Sequence, residues 1–299
     1  MPGRVGVVGL GNMGAVIATR LATAYQVVGY DIRAERRERL AGGPVRVVAR
    51  LEEAAEDAEL LFLSLPDPAA SAAVVAEVLP ALPAGSVIVE TSTVTPEDMR
   101  RLWATTQGYP VGLVDAAILG GVANVADGRT TFLVGGEPEA VERARPALDV
   151  LADAVLVQGP IGSGMAAKVI VNAVAHAVMV VLVEAAAMAV ATNVSLDALY
   201  DLLSRPTGLM RPLTYRLQEL VRRRRYEGGM STQNARKDSL LALETAARHG
   251  IPLFAVQAAH SVYEIAVRQG LGDLDYAAIA TLWERWLGCD FSQPGTSEG

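Results

Sequence analysis

The 299-residue chain carries 26 lysines and arginines, and only two of them, Lys168 and Lys237, are lysine. A guanidinium never gives up its proton in a protein. An amine desolvated beside a cleft can fall to a pKa of roughly 7–8 and exchange one near neutrality. The two lysines therefore mark positions where an amine does what the arginines elsewhere cannot. Asn172 follows Lys168 by four residues, a spacing that puts both side chains on one face of a helix. A proton-exchanging group beside a polar amide suits work on a small polar substrate. Lys237 stands next to Asp238.

A second group of residues points to a nucleotide. Gly9-Leu10-Gly11-Asn12-Met13-Gly14 follows the first apolar run and opens a helix-like stretch. In that context Gly9 permits the tight turn and Gly11 lets backbone approach a pyrophosphate. Gly14 allows close helix–strand packing, and free N–H groups at the helix start face the phosphates. Asp31 ends the second apolar run, where a carboxylate accepts hydrogen bonds from the adenine ribose hydroxyls. A carboxylate there repels a 2′-phosphate, so NAD is the expected cofactor. NADP is the alternative, because Arg33, Arg36 and Arg37 could clamp a phosphate. A solvated helix face is the plainer role for these three arginines.

The elements that must position these groups follow from periodicity. Apolar, β-branched runs at Arg4–Leu10, Val27–Asp31, Glu59–Leu65, Ser86–Thr91, Val111–Ile118, Thr130–Gly135 and Ala154–Gln158 alternate with helical stretches. That alternation predicts an α/β Rossmann-type domain with a doubly wound, mostly parallel sheet over residues 1–161. An all-helical substrate and dimerisation domain is expected over 162–299. Its first helix spans about Met165–Ala191, and others are expected at Leu196–Leu203, Pro212–Arg224, Thr232–His249, Leu253–Gln269 and Tyr276–Leu287. Ser195 and Ser231 or Thr232 are the expected N-caps. The first of these helices is apolar nearly all round, which also describes a membrane span. Lys168, Asn172, His176 and Glu184 interrupt it, so it reads instead as buried against its own domain and a second subunit. The small, polar tail Ser292–Gly299 is expected to be disordered.

Four motifs, in order from Gly9 to about Leu274, resemble the β-hydroxyacid dehydrogenases, the group that contains 3-hydroxyisobutyrate dehydrogenase and tartronate semialdehyde reductase. They are the glycine loop 9–14; Thr91-Ser92-Thr93-Val94-Thr95-Pro96; Gly159-Pro160-Ile161-Gly162-Ser163-Gly164 with Lys168 and Asn172; and Lys237-Asp238 with Leu240 and Leu241. The resemblance implies hydride transfer between a nicotinamide and a β-hydroxyacid or its aldehyde or ketone. It implies that Lys168 is the general acid/base, that Asn172 holds substrate, and that Lys237 sits near the nicotinamide. It also implies that Thr93 and the strand-end pair Leu65-Pro66 line the cofactor. The chain departs from the family's D-A-P-V-S-G-G substrate loop, reading Asp115-Ala116-Ala117-Ile118-Leu119-Gly120-Gly121. Gly120 and Gly121 still allow backbone N–H groups to face an anion. Leu119 replaces the serine, which removes a donor worth roughly 1.5–3 kcal/mol to a charged group. A substrate different from the common short hydroxyacids is therefore expected. Imine reductases share this architecture and are the runner-up, although they typically lack the lysine. A non-catalytic dinucleotide-binding module has no use for Lys168, Asn172 and Lys237 together.

Composition narrows the remaining classes. A net charge of −7 without a basic stripe argues against a nucleic-acid partner. One cysteine, Cys289, excludes a disulfide framework and a cysteine zinc site, and no metal is expected. The N-terminus lacks the charged and long apolar regions of a secretory signal, so a cytoplasmic protein is expected; the long apolar helix predicts a homodimer or homotetramer. Arg222–Arg225 reads as a solvated helix end. His249 and His260 read as structural, and Trp283 and Trp286 as packing residues.

Overall fold

A computed structural model describes residues 3–292, so most of the expected disordered tail, from residue 293 onward, lies outside the described residues. Eight strands form one sheet: β1 Arg4–Val8, β2 Gln26–Tyr30, β3 Arg46–Val47, β4 Leu60–Leu63, β5 Val87–Glu90, β6 Gly112–Leu119, β7 Thr130–Gly136 and β8 Ala152–Gly159. Their order is β3-β2-β1-β4-β5-β6-β7-β8. Every neighbouring pair is parallel except β6 with β7. The expected strands all form. The sequence reading lacked only β3, whose two residues are too short to show a pattern.

Helices α1 Asn12–Leu21, α2 Ala34–Glu38, α3 Glu52–Ala55, α4 Pro68–Val78, α5 Pro96–Thr106, α6 Val122–Ala126 and α7 Pro138–Leu151 connect the strands. They cover both faces of the sheet, which is why its strands are apolar nearly throughout. Within β4 the side chains alternate between two cores, Leu60 and Phe62 to one and Leu61 and Leu63 to the other. The winding reverses beside β1, since β2 lies on one side of it and β4 on the other. In open α/β sheets that reversal opens a crevice at the strands' carboxyl ends.

The rest of the described chain is helical: α8 Ser163–Ala191, α9 Leu196–Ser204, a π-helix Pro212–Val221, α10 Thr232–Arg248, α11 Phe254–Arg268, a 3-10 turn Tyr276–Ile279 and α12 Ala280–Leu287. Ser195 and Ser231 are the N-caps of α9 and α10; Thr232 lies inside its helix. Trp283 and Trp286 stack edge to face at 5.2 Å. The Arg222–Arg225 stretch is less idle than expected, because Arg224 pairs with the buried Glu284 and with Asp290. By compactness the chain divides at Ala173/Val174, inside α8. The first turns of α8 stay with the sheet because Met165 and Ala167 pack into its second core.

The expected burial of α8 against its own domain is met only in its first turns. Ile170, Val174 and Val190 are each about three-fifths exposed in the single chain. Its own domain covers little of this apolar helix. Among the described residues it is long and apolar enough to cross a membrane. Yet its Glu184 is buried, and the carboxylate accepts the N–H groups of Ala255 and Val256 at the start of α11 (2.8 and 3.2 Å).

Candidate active site

The turn from β1 into α1 is built by its glycines. Gly9 adopts φ +91°, in the left-handed region that favours glycine. A Cβ on Gly14 would stand 1.8 Å from the Gly9 carbonyl oxygen. Gly11 is the N-cap of α1, and no side chain caps that end, so the amides of its first turn remain available to an anion. A Cβ on Gly11 would meet only the Arg36 guanidinium, 3.6 Å away. Open backbone, an uncapped helix start and a nearby guanidinium together fit a dinucleotide pyrophosphate. Leu10 is buried and Asn12 exposed.

Asp31 has a task that the sequence reading missed. It is buried, and its Oδ2 accepts the Leu10 N–H at 2.8 Å, tying the end of β2 to the glycine turn. Its Oδ1 accepts the Arg33 N–H (2.9 Å), and Arg36 pairs with Oδ2 (3.2 Å). Arg37 donates to the Asp31 carbonyl oxygen (2.6 Å). Arg36 and Arg37 are thus engaged around the turn and are not a free solvated face.

Lys168 lies in the second turn of α8, half-buried, and lines a cavity of about 290 Å³. Met13 of the glycine loop, Leu65 after β4, Thr93 after β5 and Gly120 after β6 line the same cavity. Four separate loops therefore meet around one amine. Burial holds that amine below the ordinary lysine value. Asn172 is half-exposed one turn further along α8, Pro66 is exposed beside Leu65, and Gly121 caps α6. The Leu119 side chain packs against the second core, and its carbonyl oxygen accepts the Thr130 hydroxyl. Lys237 belongs to the second compact unit, on α10, where its Nζ pairs with Asp238 at 3.3 Å.

Sequence reasoning did not single out what holds Lys168 in place. Asp115 on β6 is fully buried. Its Oδ1 accepts the Gly162 N–H (2.6 Å) and its Oδ2 the Met165 N–H (2.8 Å), so a strand carboxylate caps the lysine's helix. Burial pushes this carboxyl above the usual range, against the lowering effect of those amides. The available signal was one acidic residue inside the apolar run Val111–Ile118. Ser64, Thr91, Ser92 and Met165 also line the cavity and were not among the expected site residues.

Comparison with known proteins resolves the family. Residues 4–159 match the NAD binding domain of 6-phosphogluconate dehydrogenase, and residues 162–283 match the NAD-binding domain of NADP-dependent 3-hydroxyisobutyrate dehydrogenase. The chain belongs to the β-hydroxyacid dehydrogenase family. This β-hydroxyacid dehydrogenase is similar to an NAD-dependent L-serine dehydrogenase of Pseudomonas aeruginosa, with 27% identity across 94% of this chain and 98% of that one. Among solved structures it is similar to Mycobacterium tuberculosis 3-hydroxyisobutyrate dehydrogenase with L-serine (28% identity, TM-score 0.68, 94% and 99% covered). It shares its fold with an imine reductase from a Pseudomonas species (23% identity, TM-score 0.82, 95% and 100% covered). The family assigns NAD(P) binding and an NAD(P)-dependent oxidoreductase of the hydroxyacid dehydrogenase type.

Proposed function

We propose that Lys168 is the general acid/base in hydride transfer between NAD(P) and a β-hydroxyacid or its carbonyl form. The observation that carries this reading is the half-buried amine at the wall shared by the glycine loop and the Leu65, Thr93 and Gly120 loops. Bound NAD(P) supplies the hydride acceptor or donor. In oxidation the substrate hydroxyl passes its proton to the Lys168 Nζ; in reduction the ammonium returns it. Lowering of the amine by burial favours that exchange near neutrality. Asn172, one turn along the same helix, holds the substrate, with Gly120 and Gly121 beside it. Gly9 to Gly14, Leu65, Pro66 and Thr93 hold the cofactor, and the resemblance to the family supports a role for Lys237 towards the nicotinamide.

Asp31 favours NAD over NADP, because a 2′-phosphate beside its carboxylate would be repelled. Arg36 already pairs with that carboxylate, so it offers a 2′-phosphate less than a free guanidinium would. L-Serine and 3-hydroxyisobutyrate, named for the relatives, are the first substrates to test. Leu119 favours a substrate whose acid group does not need a hydroxyl donor at that position. The same substitution supports imine reduction as a second reading, and Lys168 weighs against it. We place the functional boundary at 161/162 and the protein in the cytoplasm, as a homodimer or homotetramer. The exposed apolar length of α8 supports assembly, and the Glu184 bonds to α11 support a helix packed on protein rather than lipid. Oxidation of a hydroxyacid panel, followed as NADH or NADPH formation, tests the reading; reduction of cyclic imines with no activity on any hydroxyacid would replace it.

A further inference from the structure

Glu90 ends β5, where the strand leads into the loop that carries Ser92 and Thr93, and it is fully buried. The three residues before it, Val87, Ile88 and Val89, are all apolar. An acid at the end of such a run costs free energy unless its oxygens are engaged. The Glu90 Oε1 accepts the Ser92 N–H at 2.8 Å. Ser92 Oγ in turn accepts the Leu65 N–H at 2.8 Å. Ser92 and Leu65 line the Lys168 cavity from the loops after β5 and β4. The second carboxyl oxygen, Oε2, is sealed from water and faces the Ser71 hydroxyl of α4. That helix begins just after Leu65 and Pro66. One buried carboxyl therefore touches the polypeptide on both sides of the cavity wall.

We infer that Glu90 is a positioning residue for hydride transfer, holding the Ser92 and Leu65 loops at the spacing that receives the cofactor beside Lys168. This role rests on the reading of that cavity as the cofactor and reaction site. Being wholly buried, Glu90 acts through Ser92 and not on the reactants. Its neutral form suits the task. An ionised carboxylate only accepts, and no group donates to Oε2 with hydrogen-bond geometry. A proton on Oε2 makes it a donor towards the Ser71 oxygen, while Oε1 still accepts the Ser92 N–H. Burial, and then the charge of Asp115 opposite it on β6, push the Glu90 carboxyl up, against the lowering effect of Ser71 and Ser92. One acceptor and one donor on a planar group is also the pattern of a glutamine amide.

Three substitutions test the role, read as NADH affinity by fluorescence titration and as kcat and KM on the hydroxyacid that the wild type oxidises. Glu90→Gln keeps one acceptor and one donor in the same shape, and should hold NADH affinity and kcat within about threefold of wild type. Glu90→Leu removes both bonds, and should weaken NADH binding and lower kcat by about tenfold each. Glu90→Asp keeps the acid but withdraws it by one methylene, and should behave like Glu90→Leu. A proton-transferring role would instead rank Glu90→Asp above Glu90→Gln. That order, or a loss of about tenfold in Glu90→Gln, overturns the role. So does a folded Glu90→Leu that melts lower but keeps NADH affinity and kcat within about twofold, the result of a merely structural residue. If Glu90→Leu does not fold, Glu90→Gln and Glu90→Asp decide. The NADH titration needs no turnover, so it still decides if Lys168→Arg retains activity or no hydroxyacid is oxidised; either of those results removes the Lys168 reading instead.

Discussion

A lysine's proton is useful to an enzyme only if it can leave near the working pH, and burial moves Lys168 in that direction. The sign of the resulting pH dependence follows. Oxidation needs the free amine, so kcat/KM for oxidation rises with pH through a pKa below the ordinary value of about 10.4 and then levels. Carbonyl reduction needs the ammonium and falls over the same window. A pH–rate profile in both directions checks this; an oxidation limb that is still rising at about pH 10.4 would contradict it. Lys168 was legible in the sequence because lysine is so rare in this chain. Asp31 was legible as a residue but not in its full role. Its bond to the Leu10 N–H depends on two strands meeting, and a residue count along the chain carries no such distance.

At the scale of elements, two contacts position the site. The first is the approach of α1 to β1 at Gly14. A Cβ there would collide with the Gly9 carbonyl, so Gly14→Val should weaken NADH binding tenfold or more and lower the melting temperature; fluorescence titration and a thermal scan check both. The second is the cap of α8 by Asp115. Asp115→Ala leaves the Gly162 and Met165 amides without their acceptor, at a cost of about 2–4 kcal/mol. Asp115→Asn keeps one acceptor and should lose less. Differential scanning fluorimetry separates the three proteins, and an Asp115→Ala melting point within about 1 °C of wild type would contradict the cap. The strands were readable because a parallel sheet covered on both faces demands continuous apolar runs. The cap was not, since it joins residues 47 and 50 positions apart, and only the fold brings β6 to the start of α8.

For the whole molecule, the sequence reads α8 as buried, yet most of its apolar length is open in the single chain. Hydropathy reports that such a helix must be covered, not what covers it. A second copy of the chain is the expected cover. Light scattering coupled to size exclusion should therefore give a dimer or tetramer at micromolar concentration, and a monomer would contradict it. The family and the Rossmann architecture were readable from four motifs in order. The substrate was not, because Leu119 changes the loop chemistry while its side chain packs into the core.

The central claim is that this β-hydroxyacid dehydrogenase uses the Lys168 amine to move the substrate proton. The most direct measurement compares wild type with Lys168→Arg in reduced-cofactor formation on whichever hydroxyacid the wild type oxidises, with NADH affinity measured alongside. The account predicts turnover reduced by about a hundredfold or more, with the NADH dissociation constant unchanged within about twofold. Turnover in Lys168→Arg within twofold of wild type would contradict it.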